Sequence, residues 1–276
     1  MLTLTAATRS LFAKPQRESA VAELQLEIYL IDTFLCDNIG PLVSDAVDRG
    51  LLKDLDLAIL DEKGTSGRSP SDEIKRAQDI DGFFCAYPSV LHCLTSLSLY
   101  GIWLQPEIKQ LTSAFRKLRK LLILGVFVEF DLLWTTTFLE AAPSIEMLHI
   151  EVCEHACELG DENDESGIFA ERINPLWELD FHASKNMLLR ELHIAHFRPL
   201  EQQLTFIRAI LERAPNLQTV MLNKDGEICN ECDAMALDVP PSASARPAFP
   251  RTNEEQDSVV RWVIDGTFFS GQIYFR

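Results

Sequence analysis

Apolar residues recur along the chain in a short pattern, apolar-x-x-apolar-x-apolar, and most copies follow a stretch with helical spacing. Two copies are closely related: residues 138–150 (FLEAAPSIEMLHI) and 210–222 (ILERAPNLQTVML) share their Leu-Glu and Ala-Pro steps at one constant offset. Each copy has the signature of a helix end, a proline break and a short alternating strand. A duplication this close predicts a repeat protein.

The apolar pattern predicts strands, and helical spacing returns between them. Ile39 to Val47 shows one apolar helical face, Pro106 to Leu118 a second, and Leu200 to Ala214 the strongest. These units predict an α/β fold, a leucine-rich-repeat solenoid of about seven irregular repeats with a curved parallel sheet inside and helices outside. The three apolar positions of the predicted strands are Val21-Leu24-Leu26, Leu52-Leu55-Leu57, Leu94-Leu97-Leu99, Leu118-Leu121-Ile123, Ile145-Leu148-Ile150, Leu189-Leu192-Ile194 and Leu217-Val220-Leu222.

Shifts in composition divide the chain further. Two polar stretches interrupt the array, and the second contains a nearly contiguous run of acidic residues, which predicts a solvated loop. A helix over Asp257–Asp265 and an apolar strand over Thr267–Phe275 are expected to cap the solenoid. The predicted divisions are an N-terminal extension (1–20), the repeat array (21–222) with insertions at 61–80 and 151–175, a loop and Pro-rich linker (223–253), and a helix-strand cap (254–276).

The charge balance narrows the classes of partner. The chain has 25 basic and 42 acidic residues, a formal net charge of −17. Nucleic acids and anionic membranes are held mainly by Lys and Arg, so this balance disfavours both. We therefore expect a protein partner, with no nucleic acid and no membrane.

Cysteine usage bears on the compartment. Seven cysteines, an odd number without the spacing of a disulfide scaffold, favour a reducing environment, and we expect the cytoplasm or the nucleus. No stretch approaches the length of a membrane span. The first residues lack a sustained apolar core followed by a small-residue cleavage site, so we expect no secretory signal. The basic, acid-poor start up to Glu18 leaves a transit peptide as the weaker alternative.

Metal-type ligands occur in two groups that open a zinc alternative. They are His149, Cys153, His155 and Cys157 in the first group, and Cys229 and Cys232 in the second. Residues four apart on a strand lie about 13 Å apart, so the first group converges only if the chain turns at once. A lone CxxC is a weak signal, and we expect both groups to be incidental, with no metal bound.

The sequence lacks four well-known catalytic and nucleotide-binding motifs. It contains no GxSxG, GxGxxG, P-loop or HExxH. The dense basic cluster at 116–120 (RKLRK) falls where a predicted helix meets a strand, so compensation of the helix dipole explains it. We therefore expect a non-enzymatic protein without a cofactor.

A surface is the stronger functional candidate. In each predicted strand the residue between the last two apolar positions points away from the helices, onto the concave wall. Apolar side chains among these residues and their neighbours suggest a partner-binding face. The alternative is that loops or the C-terminal tail cover them. The predicted central column is Gln25, Asp56, Ser98, Leu122, His149, His193 and Met221.

Residues 188–222, with their strand, turn, helix and LE-x-A-P-x-L break, resemble the FBD-type C-terminal region of the plant leucine-rich-repeat F-box proteins. Residues 20–59 and 83–104 look like the start of that family's repeat array. The resemblance implies substrate recognition for a cullin-type (SCF) ubiquitin ligase, in which the F-box docks the Skp adaptor. Because the repeats begin near residue 20, we expect that the F-box itself is missing. A stand-alone or truncated interaction protein without a ligase role remains the alternative.

Overall fold

The described strands form one eight-stranded, all-parallel sheet whose spatial order follows the chain. A computed structural model describes residues 21–30, 38–61, 78–80, 82–100, 115–127, 131–153, 187–224 and 248–276. The strands are β1 (Val21–Leu30), β2 (Leu52–Asp61), β3 (Leu94–Tyr100), β4 (Lys120–Phe127), β5 (Met147–Cys153), β6 (Glu191–Ala195), β7 (Thr219–Leu222) and β8 (Gln272–Phe275). Sequential parallel strands joined by helical segments are the architecture of a leucine-rich-repeat solenoid, so the predicted fold class is confirmed.

Helices connect several of the strands and pack on one side of the sheet. They are α1 (Gly40–Asp48), α2 (Pro88–Cys93), a 3₁₀ turn (Leu133–Thr135), α3 (Thr136–Ala141), α4 (Glu201–Arg213) and α5 (Asn253–Ile264). The start of α5 is set by a capping box, in which Thr252 accepts from the Glu255 backbone and Glu255 accepts from the Thr252 backbone. The helix predicted over Leu200–Ala214 is observed as α4.

Two ladders of aliphatic side chains run across the sheet on its helix side and form the core. Within the eight strands all members except those of β8 are at most 5% exposed. Because each strand carries both ladders, removing one strand would expose its neighbours on either side. The first ladder is Leu26, Leu57, Leu97, Leu121, Leu148, Leu192, Val220 and Ile273, and the second is Ile28, Ile59, Leu99, Ile123, Ile150, Ile194, Leu222 and Phe275.

The register shifts between β2 and β3. Leu55 pairs with Leu94, but the next pair is Asp56 with Ser96, so Thr95 is an extra residue on β3. The hydroxyl of Thr95 donates, as a shared donor, to the Leu55 carbonyl at 3.1 Å and the Asp56 carboxylate at 2.7 Å. These two hydrogen bonds hold the extra residue of β3 against β2.

A second shift lies between β4 and β5. Ile123 pairs with Ile150 and Val126 with Val152, so two residues of β4 oppose one of β5. One of the two is Gly125, whose φ of 75° is strained for any residue with a side chain. Glycine at a bulge of this kind lets the strand bend without steric cost.

The C-terminal residues differ in part from the prediction. The helix begins at Asn253 rather than Asp257, and the predicted strand shortens to β8. β8 pairs in parallel with β7 and adds an eighth strand to the sheet. Part of the preceding linker is also packed, since Phe249 is buried with its ring centroid 6.2 Å from that of Phe275.

One predicted helix is wrong where it can be compared. Phe115 and Leu118 are fully buried as predicted, but residues 115–119 are not helical. The buried pair therefore reflects packing of a non-helical segment rather than a helical face. The remainder of that helix, the N-terminal extension and most of the two insertions and the linker lie outside the described residues.

Replacing Leu148 by Ala should lower the free energy of unfolding by about 2–5 kcal/mol, because its side chain is completely buried in the first ladder. Leu188→Ala is the matched control: that side chain is 45% exposed, and its loss should change stability by less than about 0.5 kcal/mol. Urea denaturation of both variants measures the difference. Equal effects would contradict the observed register.

Candidate functional site

The sheet face opposite the helices carries two rows of side chains in register. We call it the helix-distal face. The central row alternates with the two buried ladders, and the amino-side row lies two residues earlier on each strand. The central row is Glu27, Ala58, Ser98, Leu122, His149, His193, Met221 and Tyr274, and the amino-side row is Gln25, Asp56, Ser96, Lys120, Met147, Glu191, Thr219 and Gln272.

Five members of the predicted central column lie together in the central row, and two do not. Gln25 and Asp56 belong to the amino-side row, because Gln25 pairs with Asp56 and Asp56 pairs with Ser96 rather than with Ser98. Glu27 and Ala58 take their places. The prediction also missed Tyr274, because β8 has a serine at the first position of the apolar pattern.

Apolar and aromatic side chains occupy the central row on β4 to β8. Leu122 and Met221 are partly exposed, and Tyr274 is 40% exposed. Met147 adds a further partly exposed side chain in the amino-side row. Side chains of this kind, grouped on one face, are typical of the centre of a protein interface.

A histidine pair lies in the middle of this apolar stretch. The rings of His149 and His193 meet edge to face, with 6.0 Å between their centroids. Nε2 of His193 is 3.2 Å from Oε2 of Glu191, in an orientation that makes no hydrogen bond. Burial lowers the pKa of His149 below its usual value, and the neighbouring His193 lowers it further. The folded protein therefore favours neutral His149.

The predicted basic cluster makes contacts between repeats. Nζ of Lys117 lies 3.1 Å from Oδ1 of Asp54 and donates to the Lys53 carbonyl, and Arg119 pairs with Glu146. The Lys117 and Asp54 side chains are about half exposed, so their pairing contributes little to stability. Residues 115–119 are not helical, and the rest of the helix predicted before the cluster lies outside the described residues, so compensation of a helix dipole stays a prediction.

The zinc alternative gains no support from the part of the chain that the structure describes. His149 and Cys153 lie on one continuous strand, four residues and about 13 Å apart. No group of three or more metal-type ligands occurs among the described residues. His155, Cys157, Cys229 and Cys232 lie outside the described residues, so the absence of zinc stays a prediction.

Two other perturbed groups have structural roles. Burial raises the pKa of Cys93 to about 11, so this thiol stays protonated, and it donates to the Val90 carbonyl. Burial also raises the pKa of Asp131, whose carboxylate accepts from the Leu133 backbone at the start of the 3₁₀ turn. Neither group belongs to the helix-distal face.

Comparison with known families decides what kind of repeat this is. The family model of the At1g61320/AtMIF1 leucine-rich-repeat (LRR) domain matches residues 76–239, more than half of the chain. The chain belongs to this LRR family. The matched range contains β3 to β7, while β1, β2 and β8 extend the same sheet beyond it.

The assignment does not extend beyond the LRR family. A search of the curated proteins found no match. The LRR family match supports a plant leucine-rich-repeat protein, and it does not confirm the F-box and FBD membership that the sequence resemblance implied. Within the described residues, no helix is long and apolar enough to cross a membrane.

Acidification should destabilise the protein partly through His149. The pKa of His149 is lower in the folded than in the unfolded protein, so unfolding takes up a proton at acidic pH. The contribution of neutral His149 to the free energy of unfolding is therefore fully present above about pH 6.5. It is lost as the pH falls from there through the folded pKa. His149→Gln should reduce the loss of stability between about pH 7.5 and 5. His92→Gln, at an exposed histidine on α2, should leave that loss unchanged. Urea denaturation at both pH values measures it, and equal pH dependence in wild type and His149→Gln would contradict the burial of His149.

Proposed function

We propose that the protein is a non-enzymatic protein–protein interaction module that binds its partner on the helix-distal face. The observation that carries the proposal is the central row on β4 to β8. There Leu122, Met221 and Tyr274 are held in register on one sheet and remain partly exposed. Partly exposed apolar side chains on an ordered surface lose little entropy on binding and gain from being covered.

Membership of an LRR family supports the same function. Parallel strands stacked in a solenoid present a long, continuous surface, which suits protein recognition better than it suits a small-molecule pocket. The net charge of −17 argues for a protein partner rather than a nucleic acid or an anionic membrane, and the cytoplasm or the nucleus remains the expected location.

The finer proposal is substrate recognition for a cullin-type ubiquitin ligase. It is supported by the resemblance of residues 188–222 and the earlier repeats to plant F-box proteins. In this role the helix-distal face would hold the substrate, and contact with the ligase would be direct or through a partner. The alternative is an interaction protein without any contact with a ligase.

Affinity purification of the tagged protein from plant cells tests both levels. Met221→Glu places a charge in the central row, and it should reduce recovery of the specific partners at least about tenfold, because a charge inside an apolar contact must be desolvated. Trp262→Glu is the matched control, since this 41% exposed side chain lies on α5 in the helix layer. Both variants must first show the urea midpoint of the wild type.

Identical partner sets from all three proteins would reject the helix-distal face as the binding surface. A wild-type set without a Skp adaptor or a cullin would reject the ligase role and leave the interaction module standing.

A further inference from the structure

The helix-distal face is divided by chemistry into two halves. The acidic half lies on β1 and β2, where Glu23 and Glu27 are exposed and Asp54 and Asp56 are partly exposed. The apolar half is the central row on β4 to β8, around Leu122 and Met221, whereas the amino-side row of these strands includes Lys120 and Glu191. Between the halves β3 carries small hydroxyl side chains, Ser96 and Ser98, opposite Asp56 and Ala58 of β2.

The acidic half is only partly neutralised by the described residues. Lys117 pairs with Asp54, and Thr95 donates to Asp56. Glu23 lies directly beside Asp54 in the parallel register, an arrangement of like charges that costs stability. Glu27 stands at the end of the central row beside neutral Ala58. A cationic group on the partner would relieve this repulsion.

We infer that the partner is a protein segment that crosses the strands in an extended form, with Lys or Arg over the acidic half and aliphatic or aromatic residues over the apolar half. This inference rests on the proposed function and specifies the chemistry of its partner. Charge complementarity supports this inference, because the acidic half would bind a basic group of the partner. The net charge of −17 would also attract a basic partner from a distance. The short side chains of Ala58, Ser96 and Ser98 allow the segment to pass close to the sheet between the two halves.

The register fixes the spacing that such a segment needs. Leu122 is three strands from Glu27 along the central row, and Met221 is six strands away. With strands about 4.8 Å apart, these steps are about 14 Å and 29 Å. An extended chain covers them in about four and about nine residues. The partner should therefore carry a basic residue about four to nine residues from its apolar residues.

Panning the full-length protein against a library of random displayed peptides, each about ten residues or longer, tests the spacing directly. Enriched peptides should combine Lys or Arg with Leu, Met or an aromatic residue at the stated separation. A synthetic copy of the most enriched peptide should bind about tenfold more weakly to Glu23→Lys/Glu27→Lys, because two attractive charges become repulsive. It should also lose about tenfold on Met221→Ser, and bind more weakly as salt is raised.

Asp257→Lys/Asp265→Lys is the matched control, because it makes the same change in net charge at exposed positions on and after α5. Its affinity for the peptide should stay within about twofold of wild type, since charges this far from the contact are screened. Two outcomes overturn this inference and leave the proposed function intact. In the first, the enriched peptides bind more weakly to Met221→Ser but contain no basic residue. In the second, they bind more weakly to Met221→Ser but bind equally well to the two charge-reversed proteins. If no substitution on the helix-distal face weakens peptide binding, both this inference and the proposed function are overturned.

Discussion

Two continuous ladders of buried aliphatic side chains are the constraint on which the whole structure depends. Each strand contributes one residue to each ladder, and the strands can stack only if both residues stay on the helix side. Leu148 and Ile150 pair with Leu192 and Ile194 in this way, and the same relation holds from β1 to β8. Burial of these ladders, rather than any single contact, gives the sheet its order and its length.

The same constraint leaves the opposite face free to vary. Alternation along each strand sends every second residue away from the core, and the ladders do not depend on its chemistry. The helix-distal face can therefore be acidic at Glu23 and Glu27, small at Ser98, and apolar at Leu122 and Met221 without cost to the core. Because the buried face holds the sheet together, the helix-distal face can differ in chemistry from one strand to the next.

Much of the fold could be predicted from the sequence, because the ladder residues impose a recognisable apolar pattern. The assignment of seven strands and of the buried face is confirmed by the pairing. The register between β2 and β3 could not be predicted. Leu55, Leu57 and Ile59 alternate without a break, and a slip of two residues keeps every side chain on its own face, so hydrophobicity does not distinguish the two registers. In the observed register the Thr95 hydroxyl contacts the Leu55 carbonyl and the Asp56 carboxylate, and no apolar pattern reveals polar contacts of this kind.

Like the fold, the candidate site could be predicted from the sequence only in part. The pattern identified which side of the strands faces away from the core, and so placed Leu122, His149, His193 and Met221 in one row. It missed Tyr274, since the first position of the apolar pattern in β8 is occupied by serine. The pairing of Lys117 with Asp54 was also hidden, because it joins residues far apart in the chain.

Oxidation of the methionines by dilute hydrogen peroxide, followed by mass spectrometry, tests the orientation of the two faces most directly. Met147 and Met221 lie partly exposed on the helix-distal face, while Met187 is buried at 2% exposure. In the folded protein Met147 and Met221 should form sulfoxide well before Met187, because the oxidant must reach the sulfur atom. Oxidation of Met187 as fast as the other two, or protection of Met147 and Met221 in the protein without a partner, would contradict the account.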